Sequence, residues 1–280
     1  MKSLVLLILI GFAATTANGP PSEGWAAGDS RMLESISIEL RYCPPTEYSM
    51  GFNYGPNPSE FLTADDIAVK VKVSRGFWIG RTEVTQSQWK AVMSTEPWLK
   101  DWPTGPDYPA SGMTRAQAIE FCKRLTERER AKKSIKPSEE LTLPTEAQWE
   151  LACRAGSSGE FCFGQPNFEV LKEHAWFLGN APAKSHPQKV GTKKPNNWGI
   201  FDMHGNVQEI CLDDFVSKLP GGMDPLVDNA DDLVVARGGT FYYAEDSVRS
   251  SARSCHDSET PKNGIDWKDS RGFRIVLNSP

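Results

Sequence analysis

Two carboxylates on either side of a glycine–asparagine pair are spaced so that they could coordinate a metal ion together. Asp202 and Glu209 stand seven residues apart in the segment KPNNWGIFDMHGNVQE (194–209), with Gly205 and Asn206 between them. Hard cations such as Ca²⁺ bind six to eight oxygen atoms, which come from carboxylates and from backbone carbonyls. Two carboxylates at this spacing could supply some of the ligands of such a cation. The alternative is a solvated turn that Asn206 caps without a metal.

A second group of reactive side chains lies nearer the C-terminus. Glu245, Asp246 and His256 are hard or borderline ligands that, with one further partner, could bind iron or another redox metal. For Glu245 and Asp246 the alternative is the solvated tip of a loop. Cys255 is either a disulfide partner or a reactive thiol, and Arg253 and His256 are the nearest groups that could lower its pKa.

The N-terminus carries an export signal in this interpretation. Lys2 precedes an apolar run, Leu4–Ala14, that is too short to span a bilayer, and Ala17 fits a cleavage point. We therefore predict a signal peptide over 1–17, a flexible segment over 18–30 and one domain over 31–280. The alternative is an anchoring helix. The predicted location is secreted or periplasmic, with no membrane span after signal removal.

Cysteine content follows from that location. An even number of cysteines in an oxidising compartment predicts disulfides, with 15 possible full pairings. No pair has the C-x-x-C spacing of a zinc or thioredoxin-like site. The six residues are Cys43, Cys122, Cys153, Cys162, Cys211 and Cys255.

Several function classes are excluded by composition and by missing motifs. The formal charge is −5, with acids and bases mixed along the chain, and this does not predict a nucleic-acid partner. The chain has no G-x-S-x-G nucleophile elbow, no P-loop and no G-x-G-x-x-G.

The elements that must position these residues can be read from capping and alternation. Thr85, Thr114 and Thr145 each stand three residues before a glutamine, which is the capping box of a helix start. Val69–Val73 and Leu233–Ala236 are typical of strands, as is the alternation of Phe273, Ile275 and Leu277. Gly238 and Gly239 predict a sharp turn or bulge.

Four segments together resemble one family, that of the formylglycine-generating enzymes, also called sulfatase-modifying factors. The resemblance covers Tyr42 to Leu277 and rests on KPNNWGIFDMHGNVQE (194–209), LPTEAQWELACRAG (143–156), ARGGTF (236–241) and RGFRIVL (271–277). It implies an α/β fold of irregular, loop-rich character, a variant of the C-type-lectin-like fold. Few strands and two or three short helices are expected.

The resemblance also assigns ligands. In the family the segment around Asp202 wraps a structural calcium ion, and the matching positions are Asp202 and Glu209 by side chain and Gly205 and Val207 by carbonyl. Such an ion would stabilise a loop that has no hydrophobic core of its own.

The family's catalytic copper is held by two cysteine thiolates, five residues apart, just after the Gly-Gly turn. Here those positions hold Tyr243 and Val248, and no cysteine lies between Cys211 and Cys255. Soft sulfur ligands select Cu(I), so the resemblance implies that this chain lacks the copper site.

The resemblance finally outlines a cleft. Thr240 and Arg253 match positions that line the family's substrate cleft, and an arginine there could pair with a carboxylate or peptide carbonyl, or be a buried structural residue. Tyr242, Tyr243 and Phe241 would give the cleft an aromatic wall. The candidate cleft residues are Thr240, Tyr243, Glu245, Asp246, Arg253, Cys255 and His256.

Three functions remain open at this point. The first is a divergent oxidase or modifying enzyme that acts on an exported protein or metabolite without the two-cysteine copper site, its redox metal unknown. The second is a non-catalytic module that binds a peptide or glycan. The third is a true formylglycine-generating oxidase. The predicted partner is an exported protein, a peptide or a small-molecule ligand, and the chain is expected to be a monomer.

Overall fold

The computed structural model describes residues 24–52, 67–182, 186–229, 233–257 and 270–279. Within them the helices are α1 (Gln86–Met93), α2 (Arg115–Ala131), α3 (Glu146–Arg154) and α4 (Phe168–His174). The strands in the same ranges are β1 (Ser30–Leu33), β2 (Ile38–Cys43), β3 (Thr46–Met50), β4 (Val69–Val73), β5 (Phe77–Gly80), β6 (Glu140–Thr142), β7 (Gln208–Asp214), β8 (Gly222–Met223), β9 (Leu233–Arg237), β10 (Arg253–Asp257), β11 (Arg271–Gly272) and β12 (Val276–Asn278).

These elements form three small sheets. Their strand orders are β1-β2-β5-β12-β6, β10-β9-β7-β11 and β3-β4-β8. The predicted α/β class is confirmed, with one helix beyond the two or three expected and with more strands, all of them short. The additional helix is α4, which begins at Asn167, whose side chain accepts from the backbone N–H groups of Glu169 and Val170.

The three predicted helix starts are confirmed. At each of them the threonine hydroxyl accepts from the backbone N–H of the glutamine three residues later, and that glutamine side chain accepts from the threonine's own N–H. These caps fix where α1, α2 and α3 begin, and α2 and α3 then pack on the sheets. α3 contacts β3, β4, β7 and β9.

The predicted strand over Phe273, Ile275 and Leu277 is interrupted. β11 ends at Gly272 and β12 begins at Val276, so residues 273–275 pass between two different sheets. The interruption turns the Arg274 side chain inward, where it donates to the carbonyls of Gly80 (2.9 Å) and Phe201 (3.1 Å). The apolar residues alternate without a change from residue 273 to residue 277, so the sequence pattern alone could not predict the interruption of the strand.

The N-terminal boundary also differs from the prediction. Residues 1–23, which include the predicted signal peptide, lie outside the described residues. Residues 24–30 were expected to be flexible, but the Trp25 ring packs edge-on against Trp78 at 5.0 Å between centroids, and Arg41 donates to the Gly28 carbonyl at 3.0 Å. This part of the segment therefore belongs to the fold.

A buried chain of ion pairs ties α3 to β9 and β10. Arg154 and Arg237 both pair with Glu150, and Arg237 and Arg253 both pair with Glu146. All five side chains are at most 5% exposed. Charges so far from water persist only when they are paired, so these contacts fix the helix on the sheet.

None of the helices that the structure describes has the length and apolar character needed to cross a membrane.

Candidate functional site

The turn at Gly238 and Gly239 directs the chain from β9 into the candidate site. Both residues have positive φ angles, 88° and 69°. A Cβ atom at Gly239 would lie 2.5 Å from the Ser247 carbonyl oxygen, and one at Gly238 would lie 3.1 Å from the Trp149 ring. Only glycine fits both the backbone conformation and the space, so the predicted sharp turn is confirmed.

The two positions that match the family's copper thiolates lie in one apolar cluster. Val248 is fully buried and Tyr243 packs against the same group. The other members are Phe161, Phe163, Leu171, Ala175 and Phe177. The space next to the glycine turn is therefore filled by hydrocarbon and aromatic rings, and neither position offers a soft ligand.

His204 holds this cluster to the turn before β7. Its Nδ1 lies 2.8 Å from the Val248 carbonyl oxygen, which makes Nδ1 the donor. Its Nε2 then accepts from the backbone N–H of Cys162 at 3.2 Å, and the Cys153 Sγ lies 3.8 Å from it. The ring is 1% exposed and uses both nitrogens, so its role here is structural.

An aromatic wall extends from this cluster, as the sequence predicted for three of its four rings. Trp102 meets Phe241 edge-on at 5.8 Å, Phe241 meets Tyr242 at 4.8 Å, and Tyr242 meets Tyr243 at 5.0 Å. Phe241 is buried, whereas Trp102, Tyr242 and Tyr243 are half-buried. We call these four residues the aromatic wall. Edge-to-face contacts of this kind hold the rings in fixed orientations.

A polar row runs beside the aromatic wall. Gln208 Nε2 donates to the Ser254 hydroxyl at 2.8 Å, and His256 Nε2 lies 2.8 Å from Gln208 Oε1. The Tyr243 hydroxyl lies close enough to Gln208 and to Tyr242 to interact with both. We call Gln208, Ser254 and His256 the polar row.

Both tyrosines keep their protons at neutral pH. Burial raises the pKa of Tyr243, and burial raises the pKa of Tyr242 to about 12. The Tyr242 hydroxyl lies 2.9 Å from the Ser270 hydroxyl. The two tyrosines therefore present neutral hydroxyl groups at the aromatic wall.

The structure does not bring four of the candidate cleft residues to this place, whereas Thr240 lies beside the aromatic wall, where its hydroxyl accepts from the backbone N–H of Tyr242 at 3.3 Å. Arg253 donates to both Glu146 oxygens at 2.6 and 2.9 Å, and its side chain is 3% exposed, so it is a buried structural residue. Cys255 lies between Ser254 and His256 on β10 and thus points to the opposite face. Glu245 and Asp246 lie in an exposed 3-10 turn. Thr240 is fully buried.

The predicted metal turn holds a different set of contacts from the one expected. Glu209 accepts from Arg274 at 2.5 Å on each carboxylate oxygen and from Trp149 Nε1 at 2.7 Å. A carboxylate so fully occupied by a guanidinium is unsuited to the ligand role that the sequence assigned to Glu209. The pairing was not foreseen, because Arg274 is 65 residues away in the chain.

Asp202 and Glu83 retain the free oxygens. Asp202 Oδ1 and Glu83 Oε2 are buried without a hydrogen-bond partner among the described residues. Burial raises the pKa of both groups, and the Asp202 charge raises the pKa of Glu83 further. Asp202 also has a left-handed φ of 57°, an uncommon conformation for a residue other than glycine. Two close carboxylates in this state need a proton or a cation between them.

The charge of this cluster agrees with a divalent cation. Arg274 interacts with three carboxylates, those of Glu209, Glu83 and Asp202. Lys193 also interacts with Asp202, so one negative charge is uncompensated when all three carboxylates are ionised. The free oxygens of Glu83 and Asp202 and this surplus charge are compatible with a divalent cation.

The predicted disulfides do not occur. All six cysteines are free thiols, five of them buried and Cys255 exposed. Cys43, Cys153 and Cys211 belong to one hydrophobic cluster and Cys122 to another. Burial raises the pKa of Cys153 to about 12, so these thiols pack as small apolar residues.

No group of three or more histidine, cysteine, aspartate or glutamate side chains converges on a metal position within the described ranges. Glu245, Asp246 and His256 in particular do not come together: the first two lie in the exposed turn and His256 bonds to Gln208. Sequence reasoning missed Gln208, Glu83, Trp102 and Arg274. Of these, Gln208 and Arg274 lie inside the family motifs, which was the one available signal.

Comparisons with known proteins agree with this fold. Residues 47–279 match the family described as the Sulfatase-modifying factor enzyme 1-like domain. PvdO from Pseudomonas aeruginosa superposes with a TM-score of 0.74 at 22% identity, covering 91% of this chain and 99% of that one. Treponema denticola variable protein 1 gives a TM-score of 0.72 at 22% identity, covering 89% and 98%.

Curated relatives are similar over about half of this chain. Chaperone protein LppX of Paenibacillus barcinonensis is 30% identical over 48% of this chain and 61% of its own length. The formylglycine-generating enzyme of Mycobacterium tuberculosis is 26% identical over 49% and 50%. The mouse inactive C-alpha-formylglycine-generating enzyme 2 is 26% identical over 49% and 43%. The chain thus spans about half the length of these relatives. Because the family match extends over most of its residues, the chain belongs to the sulfatase-modifying factor family.

Proposed function

We propose that this chain is a divergent family member that binds a peptide segment of another protein, or a small planar ligand, between the aromatic wall and the polar row. It does so without a two-thiolate copper site. The observation that supports the proposal is the apolar cluster around Tyr243 and Val248, the two positions that the resemblance assigns to the family's thiolates.

The chemistry of the site supports recognition. Half-buried aromatic rings supply contact area at a small cost in side-chain entropy, and hydrogen-bond donors and acceptors beside them can bind a peptide backbone. Gln208 is held by its hydrogen bonds to Ser254 and His256, so its amide is already oriented before a ligand arrives. Preorganised groups of this kind lose little freedom on binding.

One relative supports a protein-binding role. Chaperone protein LppX is described by its name as a chaperone, and a chaperone must bind segments of other polypeptides. We propose that the partner here is an exported protein and that the chain works as a monomer in a secreted or periplasmic location, as the N-terminal sequence predicts.

Binding can be tested by selecting peptides from a random displayed library on the intact protein and measuring affinity by titration calorimetry. Trp102→Ala should weaken the selected peptides about tenfold, because a large ring that contacts the ligand contributes on the order of 1–2 kcal/mol. Trp25→Ala is the matched control, since Trp25 is a partly exposed tryptophan that packs on Trp78 instead. Selection of no peptide, or equal affinity of both variants, contradicts the proposal.

A modifying enzyme is the second candidate, and the hydrogen bonds that join Gln208 to His256 and Ser254, next to the two tyrosines, favour it. Such a row can position protons near a bound group. A selected peptide that gains or loses mass on incubation with the wild-type protein, but not with Gln208→Ala, supports this candidate. Unchanged mass in both incubations supports binding alone.

We also propose a structural calcium ion at the metal turn. Asp202 and Glu83 would supply side-chain oxygens, and Gly205 and Val207 the carbonyls. The support is the pair of buried oxygens without hydrogen-bond partners among the described residues and the surplus negative charge around them. A bound cation would neutralise these carboxylates and hold the turn that leads into β7.

A further inference from the structure

A second cavity lies apart from the candidate site. Its volume is about 490 Å³, and none of its lining residues belongs to the aromatic wall or to the polar row. It opens between β3 and the C-terminal end of α3. Its apolar walls are Tyr48, Phe52, Leu151 and Trp198, and hydroxyl and amide groups at Ser157, Ser158 and Gln165 line its other side.

Arg154 lines this cavity and has donors to spare. Its guanidinium is 5% exposed and donates through Nε to Glu150 (2.7 Å), through Nη1 to the Gly159 carbonyl (2.8 Å) and through Nη2 to the Gly51 carbonyl (2.6 Å). Arginine has five N–H donors, so two of them have no partner among the described residues. A buried guanidinium next to a cavity can donate its unused N–H groups to an oxygen acceptor on a ligand.

The charge balance around Arg154 favours a negative acceptor. The buried ion pairs link three guanidinium groups (Arg154, Arg237 and Arg253) to two carboxylates (Glu146 and Glu150). Asp213 approaches this network through the backbone N–H of Glu146, which lies at the end away from Arg154. The end at the cavity therefore carries the uncompensated positive charge.

Among the described lining residues, one carries an opposing charge. Glu47 lies at the cavity mouth with an exposed side chain, and its carboxylate is 4.0 Å from Lys72 Nζ. Exposed charges of this kind are screened by water, whereas the buried Arg154 is not. The positive charge of Arg154 therefore has more influence on the charge of the bound ligand than the negative charge of Glu47 has.

We propose that this cavity binds a small apolar carboxylate, whose carboxyl group pairs with Arg154 and whose ring or alkyl body packs between Trp198, Phe52 and Leu151. A ligand the size of an arylalkanoic acid fits a cavity of 490 Å³. The hydroxyl and amide side chains at its edge would accommodate a polar substituent. This site is independent of the peptide-binding role proposed above.

The test uses 3-phenylpropionate and its amide as probes, titrated into the full-length protein at neutral pH by calorimetry. For a ligand of this size we expect a dissociation constant on the order of 1 mM for the acid, and at least tenfold weaker binding of the amide. Arg154 is left unchanged, because it is part of the buried network.

Two exposed lining residues supply the blocking variants. Ser158→Trp and Gln165→Trp each place a large ring at the cavity mouth, and both should abolish binding of the acid. Ser138→Trp is the matched control, an exposed serine outside this cavity, and should bind as the wild type does. Absence of binding up to about 20 mM, equal binding of acid and amide, or binding that survives both blocking variants overturns the proposal.

Discussion

Glu209 and Arg274 form a fully buried, bidentate ion pair. Each carboxylate oxygen of Glu209 lies 2.5 Å from a guanidinium nitrogen of Arg274, and neither side chain is exposed to solvent. The pair joins β7 to the segment between β11 and β12. Trp149 of α3 adds a third hydrogen bond to the same carboxylate. One contact thus links two sheets and a helix next to the candidate site.

Removing the charge of Glu209 should be strongly destabilising. In Glu209→Gln the buried guanidinium of Arg274 would lose its bidentate partner, and we expect a loss of about 3–5 kcal/mol in the free energy of unfolding. Urea denaturation followed by circular dichroism measures it.

A surface pair provides the comparison for that measurement. Glu120→Gln removes an exposed partner of Arg124 on α2, and we expect almost no change, because water screens that pair. If Glu209→Gln behaves like Glu120→Gln, the buried pair does not have the structural role described above.

Calcium should raise the melting temperature of the wild-type protein. A ligand that binds only the folded state stabilises it by about 2.7 kcal/mol when its concentration is a hundred times the dissociation constant. Asp202→Ala and Glu83→Gln should each abolish the effect, because these two side chains hold the free oxygens. Differential scanning fluorimetry with Ca²⁺, and after treatment with a chelator, measures the shift.

The magnesium ion serves as the control in that experiment. Mg²⁺ demands near-octahedral geometry and releases its water reluctantly, so it should shift the melting temperature less than Ca²⁺ does. Equal shifts of the melting temperature in the wild type and in Asp202→Ala would show that calcium does not bind at this turn.

Local signals in the sequence were sufficient for the helices and for the glycine turn. The capping boxes at Thr85, Thr114 and Thr145 act within four residues, and the Gly238–Gly239 turn needs only two. Such features depend on interactions between neighbouring residues, so they can be predicted from the sequence without knowledge of the rest of the fold. The fold class came instead from the resemblance of four motifs to a known family.

Partner choice over long distances could not be predicted. Glu209 was assigned to a metal because its actual partner, Arg274, lies 65 residues further along the chain. Arg253 was placed in the cleft, but it pairs with Glu146, 107 residues earlier. A charged residue in a sequence shows that a partner is needed, whereas only the fold determines which opposite charge comes near.

The pH dependence of stability should contain a contribution from Asp213. Burial raises the pKa of Asp213 from 3.8 to about 7, although its oxygens accept from the backbone N–H groups of Glu146 and Val227. The folded state therefore binds this proton more tightly than the unfolded state does. The resulting stabilisation is complete below about pH 4 and is lost as the pH rises towards 7.

Asp213→Asn removes that titration. The difference in the free energy of unfolding between the wild type and Asp213→Asn should fall by as much as about 4 kcal/mol between pH 4 and pH 8. Urea denaturation at a series of pH values measures both proteins. Parallel pH curves for the two would show that Asp213 does not titrate in this interval.

Thiol counting tests the absence of disulfides. Without reductant, the denatured protein should present six titratable thiols to Ellman's reagent, and the folded protein should present one, the exposed Cys255. The other five react only after unfolding, because burial keeps the reagent away from them. Cys255→Ser should lower both counts by one, and fewer than six thiols in the denatured wild type would restore the disulfide prediction.

The central claim is that Tyr243 and Val248, packed in an apolar cluster, leave no two-thiolate copper site in this family member. The most direct measurement is mass spectrometry of a sulfatase-derived cysteine peptide after incubation with this protein, copper and oxygen. The Mycobacterium tuberculosis formylglycine-generating enzyme, run in parallel, is the positive control. We predict an unmodified cysteine with this chain, and conversion of that cysteine to formylglycine would contradict the account.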